Sequence, residues 1–255
     1  MLPHMLLIAS ALAEELETAL NLCSHRQKLG CRGVSVWTGA RGNKTLYLLK
    51  TGVGPARSAA TLERVLAALR VTHILVAGYA GALDPGLKQG ELVIGERADM
   101  LSNETWGAPL GEIGLSGSWP LADAAELCSL ATAAGLRARC GAVLTSPCII
   151  GAPAHKSILH LKHHACVVDM ETAALARVAT GASIPLSCVR AISDEAGDDF
   201  LAPFSYDPAA GKLQRAAKAL ASGRWVSRYS QWREKSLAAR RNLSGFLACY
   251  LGRNG

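Results

Sequence analysis

Short apolar runs of β-forming residues alternate along this chain with stretches of helical periodicity, and most of those runs end on glycine or a polar residue. That alternation limits the fold more than any other feature. Leu6–Ser10 reads as a strand and Ala13–Leu22 as the helix after it. Thr45–Leu49 is β-rich and stops at the tight turn Gly52-Val53-Gly54-Pro55. Ala56–Leu69 then carries apolar residues at helical spacing. His73–Val76 is a strand running into Gly78-Tyr79-Ala80-Gly81, and Glu91–Ile94 is another. Leu121–Ala134 reads as a helix, Ala142–Leu144 and Cys166–Val168 as strands, and Thr172–Thr180 as a helix. Leu186–Ile192 is a strand ending in Ser193-Asp194. The pattern predicts an α/β fold, a three-layer α/β/α arrangement with a central mixed, largely parallel sheet. In such sheets ligands bind where loops leave the strand ends. Asp99–Pro120 holds an excess of Gly, Ser and Pro and reads as a loop, a lid or a partner-facing segment.

Composition narrows the class. Half of the 255 residues are hydrophobic and 18% are charged, which excludes a disordered chain. No apolar run reaches the roughly 18 residues of a membrane-spanning helix. Eight cysteines occur singly, without a C-x-x-C pair, which points to a reducing, cytoplasmic setting without disulfides. The apolar stretch Met5–Ala13 lacks a positive flank and runs straight into Glu14 and Glu15, so it reads as a buried first strand rather than a signal peptide. The net charge of +7 is concentrated at one end. Residues 212–253 hold ten basic residues and one acid, whereas the rest of the chain has 17 basic and 19 acidic residues. The body is therefore nearly neutral, and nucleic acid is not an expected partner. Residues 1–205 read as the catalytic domain and 206–255 as a basic helical extension, two helices broken at Gly223. In the second helix Trp225, Tyr229, Trp232, Ala239, Leu243, Phe246 and Tyr250 fall near one face. That face packs on the protein, or rests on an anionic membrane as a peripheral contact.

Several strings carry chemistry. Gly52–Ala56 (GVGPA) follows a strand and opens a helix, but it lacks the third glycine of a dinucleotide fingerprint and reads as a plain turn. In Ala77–Ile94, Gly78 and Gly81 let backbone approach a small polar ligand. Val168–Ala176 (VDMETAALA) places Glu171 past a strand, and Val189–Asp199 places Asp194 past the next. Carboxylates do not enter apolar surroundings without a partner or a task. His155, His160, His163 and His164 cluster without any other metal-ligand signature, so no metal is expected.

These strings, with IASALAEELE at the start, occur in the order found in the nucleoside phosphorylase and nucleosidase superfamily. From Leu6 to about Asp199 the chain most resembles the methylthioadenosine/S-adenosylhomocysteine nucleosidase branch. The resemblance implies a phosphorylase-like fold and cleavage of the N-glycosidic bond of an adenine-type purine nucleoside. It implies that Asp194 serves N7 of the purine, that Glu171 holds the ribose hydroxyls, and that Met170 packs on the sugar. Glu15 falls at the carboxylate near the attacking water. Arg190 and Ser193 match supporting residues, Ile149 and Ile150 line the base pocket, and Tyr79 falls near the water or phosphate position. It implies a homodimer and no organic cofactor.

The chemistry fits such groups. Positive charge builds on the sugar as the C–N bond breaks, and buried carboxylates stabilise it. The leaving base needs a proton, and general-acid help is typically worth about 10²–10⁴-fold. There are departures from the family pattern. Tyr79 stands where a small hydroxyl residue is usual, and Asp169 where a Glu is usual. No arginine precedes Arg26, while phosphorylases bring an arginine from the first turn to phosphate. Hydrolysis is therefore expected over phosphorolysis, with inorganic phosphate left open as a co-substrate and Arg57 and Arg190 as its candidate ligands. The long basic ending also resembles the hopanoid-associated phosphorylases, which act on an adenosylated lipid. A reading from another class is a non-catalytic nucleoside-binding or membrane-binding module.

Overall fold

The computed structural model describes residues 5–31, 33–42, 44–102, 109, 111–199 and 236–253. The elements run β1 (Leu6–Ser10), α1 (Ala13–Asn21), β2 (Ser24–Lys28), β3 (Ser35–Arg41), β4 (Lys44–Lys50), α2 (Pro55–Ala68), β5 (His73–Ala82) and β6 (Leu92–Leu101). They continue as β7 (Leu115–Pro120), α3 (Ala124–Ala133), β8 (Ala138–Thr145), α4 (Pro153–His163), β9 (Val167–Asp169), α5 (Thr172–Gly181), β10 (Leu186–Asp194) and α6 (Leu237–Gly252).

Two-residue periodicity makes the layers. Leu7 and Ala9 of β1 face one core, and Ile8 between them faces the other. The same alternation separates Ile74 and Val76 from Leu75 and Ala77 in β5. The first core is covered by α2, through Ala59, Leu62 and Val65, and by α5. The second is covered by α1, α3 and α6. The α/β architecture with helices on both faces is the one the alternation predicts.

The sheet follows the order β10-β6-β8-β9-β5-β1-β4-β3-β2, with β7 on β6 and β10 also paired to β5. Strands β5, β10, β6, β8 and β9 therefore close a ring, and β1, β4, β3 and β2 extend from β5 as a wing. Closure removes the exposed edges of those five strands. The length of β5 makes the ring: its first half lies between β1 and β10, and its last two residues take β9 in place of β1. The sheet is mixed; parallel pairs β1–β4, β1–β5, β5–β10, β6–β8 and β8–β9 are matched by five antiparallel ones. Much of the antiparallel share comes from the polar β2, from β3 and from β7, none of which was read as a strand in the sequence.

Two expectations are corrected. Asp99–Pro120 is not a loop at its ends, because Arg97–Leu101 pair with Leu115–Pro120. The Gly and Ser residues of β7 suit an exposed strand whose partner supplies the hydrogen bonds, and buried Asp99 is held by Arg97 Nε at 2.9 Å and Ser118 Oγ at 2.6 Å. Second, the strand read over His73–Val76 does not stop there but runs on through Gly78–Gly81 to Ala82 as β5. Pairing with β10 on one side keeps this segment extended.

The break at Gly223, with Trp225, Tyr229 and Trp232, lies outside the described residues. The part of the extension that is described, α6, sends Ala239, Leu243 and Phe246 into the second core with no exposed surface. Its Arg240 reaches Glu17 at 3.4 Å, and Arg253, just past its end, reaches Glu126 at 2.6 Å. No described helix is long and apolar enough to cross a membrane.

Candidate active site

One cleft of about 150 Å³ gathers Glu15, Glu171 and Asp194, three acids that are far apart in sequence. It opens at the carboxyl ends of β1, β5, β9 and β10, as α/β sheets favour. Tyr79, Met170, Ile149, Ile150 and Ser193 also line it, so eight of the ten residues singled out in the sequence stand in its wall. Gly78 and Arg190 do not; both lie directly behind.

Glu15 sits in the first turn of α1. One carboxylate oxygen accepts the Leu12 N–H at 2.8 Å, closing the open start of the helix, and the other accepts the Tyr79 N–H at 2.8 Å. Burial raises its pKa above the ordinary carboxylate value, while Arg190 and those backbone donors act in the opposite sense. Gly78 shows why β5 is glycine here. A Cβ at that position would collide with Arg190 and with the Glu15 carboxylate. Tyr79 is pushed the same way, upward, by burial and by Glu15 and Glu14.

Glu171 follows β9 and precedes α5. Its Oε1 accepts the Gly54 N–H at 2.9 Å. Gly54 has φ of 97°, a region open to glycine, and Pro55 then starts α2 at its first position. The GVGPA turn thus hands a backbone donor to a site acid, which its reading as a plain turn missed. Burial and the neighbouring Asp169 raise the Glu171 pKa to about 7, against the pull of Arg190 and Gly54.

Arg190 is fully buried and already engaged. Its guanidinium lies 2.5 Å from Asp169 and donates to Thr172 Oγ1 at 2.8 and 3.2 Å. Asp169 also accepts from the Thr145 hydroxyl at 2.7 Å and from the Thr172 hydroxyl. Arg190 is therefore a buried brace between Asp169 and the acids of the cleft, at 4.0 Å from Glu171. Arg57, the other candidate phosphate ligand, is exposed and outside the cleft wall.

Asp194 is the last residue of β10. The β5–β10 register shifts between Ile192 and Asp194, setting Asp194 opposite Gly81. Such an irregularity re-aims side chains at a strand end. Ser193 Oγ donates to Asp194 Oδ1 at 2.7 Å, and Lys156 Nζ donates to Oδ2 at 2.5 Å. Lys156 was not found from the sequence. A signal for it existed, because Lys156, Leu159 and His163 form the buried stripe of α4 at helical spacing, and a lysine in that stripe needs a partner.

Ile149, Ile150, Val168 and Met170 give the cleft apolar lining beside its acids. Apolar side chains and three carboxylates in one cleft suit a flat heterocycle joined to a polyhydroxylated ring. Among the described residues no group of His, Cys, Asp and Glu is placed to hold a metal ion. The histidines of α4 are no exception; His160 Nδ1 pairs with the Ala165 carbonyl at 2.9 Å.

Comparison with known proteins agrees with this architecture. Residues 5–222 match the family model described as the phosphorylase superfamily. The fold is similar to a 5′-methylthioadenosine/S-adenosylhomocysteine nucleosidase from Neisseria meningitidis solved with methylthio-immucillin-A, with a TM-score of 0.71 and 17% identity over 96% of this chain and 97% of that one. It is similar to the Colwellia psychrerythraea nucleosidase of the same description, solved with adenine, at TM-score 0.73 and 16% identity over 98% and 96%. Helicobacter pylori futalosine hydrolase gives 0.68 and 20% over 95% and 97%. At these identities the solved structures speak for the fold, and the family match speaks for the lineage: the chain belongs to the phosphorylase superfamily.

Proposed function

We propose that the protein cleaves the N-glycosidic bond of an adenine-type purine nucleoside by hydrolysis. The observation that carries this reading is the meeting of Glu15, Glu171 and Asp194 in one cleft that Ile149, Ile150 and Met170 also line. The base lies against Ile149 and Ile150 with N7 toward Asp194. The ribose lies over Met170 with its hydroxyls on Glu171. Water approaches C1′ from the Glu15 side.

The division of labour follows from charge. As the C1′–N9 bond lengthens, the sugar becomes cationic, and the Glu15 and Glu171 carboxylates stabilise it in a site with little competing water. Asp194 neutralises the departing base by giving a proton to N7. Glu15 then takes a proton from the water that adds to C1′. Water rather than phosphate is favoured because Arg190 is engaged with Asp169 and Thr172, and because a buried carboxylate on the nucleophile side repels an anion. The superfamily resemblance further supports a homodimer.

A panel of purine nucleosides with varied 5′ substituents, assayed for base release with and without inorganic phosphate, tests this. The expected products are adenine and the free sugar in phosphate-free buffer, with no gain on adding phosphate. Base release that requires phosphate and yields a sugar 1-phosphate would replace hydrolysis by phosphorolysis. Release of no base would remove the proposal.

A further inference from the structure

Asp194 has a partner that the mechanism above leaves unused. Lys156 is completely buried in α4, with its ammonium 2.5 Å from Asp194 Oδ2. Its other hydrogen bonds among the described residues go to the carbonyl oxygens of Glu195, at 2.7 Å, and Asp198, at 3.2 Å. An ammonium has three protons to donate, and these three acceptors match them. The two carbonyls hold the nitrogen in place but are not bases. Asp194 is the one Brønsted base in the set. Asp194 also lines the cleft, whereas Lys156 does not. A proton on Lys156 therefore has a direct path to the cleft through Asp194.

We propose that Lys156 stores the proton that Asp194 passes to the leaving base. The inference rests on the nucleoside-cleaving reading above. When the C1′–N9 bond breaks, its electron pair passes into the purine. Asp194 takes a proton from Lys156, which is left as a neutral amine, and passes it to N7. Asp194 ends as the carboxylate it was at the start. Water forms the new bond to C1′ and gives its proton to Glu15. Return of that proton to Lys156 through solvent, once the products leave, restores both groups. The net change is one water added across C1′–N9.

Two substrates separate this role from a structural one: adenosine, whose base must be protonated to leave, and N7-methyladenosine, whose base is already cationic and leaves neutral without a proton. Two variants separate proton from charge. Lys156→Met removes both, and Lys156→Arg keeps the charge on a guanidinium that does not give up its proton. The wild type is expected to cleave both substrates. Both variants should lose about 10²–10⁴-fold in kcat on adenosine and stay within a few-fold of wild type on N7-methyladenosine. The Arg variant carries the test if the Met variant does not fold. Adenosine turnover restored by arginine would overturn the proposal and leave Lys156 as an electrostatic clamp. Equal losses on both substrates in a folded variant, or no loss on either, would also overturn it. The pair is used with the 5′ substituent that the nucleoside panel favours, and a wild type that releases base from no member of the panel would overturn the parent reading and this one with it.

Discussion

Glu171 turns its surroundings into a pH dependence. Burial and Asp169 hold its pKa at about 7, so in the free enzyme it is largely neutral under mildly acid conditions. A neutral carboxyl cannot stabilise a cationic sugar, so kcat/KM should rise with pH through an acid limb near 7, which a pH–rate profile would show. The same shift affects stability. The folded state holds the proton that the unfolded chain loses near 4.5, so the folded protein binds more protons between about 4.5 and 7. Unfolding free energy contributed by this group therefore falls as pH rises through that window. Glu171→Gln keeps an acceptor for the Gly54 N–H and removes the titration. Relative to wild type, it should gain stability from pH 5 to pH 8, by up to about 3 kcal/mol, read from melting curves at the two pH values. A constant difference would contradict the assignment. Asp194 and Glu171 were legible in the sequence because each is an acid at the end of an apolar run. Lys156 was not, because its partner lies 38 residues away and only the fold brings α4 to the end of β10.

At the scale of elements, β5 has small residues where other groups must pass behind it. Gly78→Ala would set a methyl against Arg190 and Glu15. Overpacking of this kind costs about 1–3 kcal/mol, and the displaced Glu15 should lower turnover as well. Denaturant unfolding and kcat measured together would show it; an unchanged pair of values would mean that the crowding is relieved. α6 makes a second case. Phe246 is buried against the second core, so Phe246→Ala should destabilise the protein by about 3–5 kcal/mol. A loss below 1 kcal/mol in chemical denaturation would show that α6 is dispensable to the body. The strands with continuous apolar sequence, β1, β4 and β10, were legible because burial on both faces writes itself into composition. The polar β2 and the Gly- and Ser-containing β7 were not, because their stability comes from a neighbouring strand rather than from their own residues.

At the scale of the whole molecule, a strand ring with helices on two sides brings the ends of four strands to a single cleft. The alternation of elements announced the layers. It could not announce the closure, which depends on β5 exchanging β1 for β9 along its length. The basic ending is tied back in part to acids of the body, at Glu17 and Glu126. The most direct test of the account is adenine release by Glu15→Gln, Glu171→Gln and Asp194→Asn beside the wild type, on the best substrate of the nucleoside panel. Each variant should remain folded and lose on the order of 10²-fold or more in kcat/KM. Three folded variants that release adenine at the wild-type rate would contradict the claim that these acids form one catalytic site.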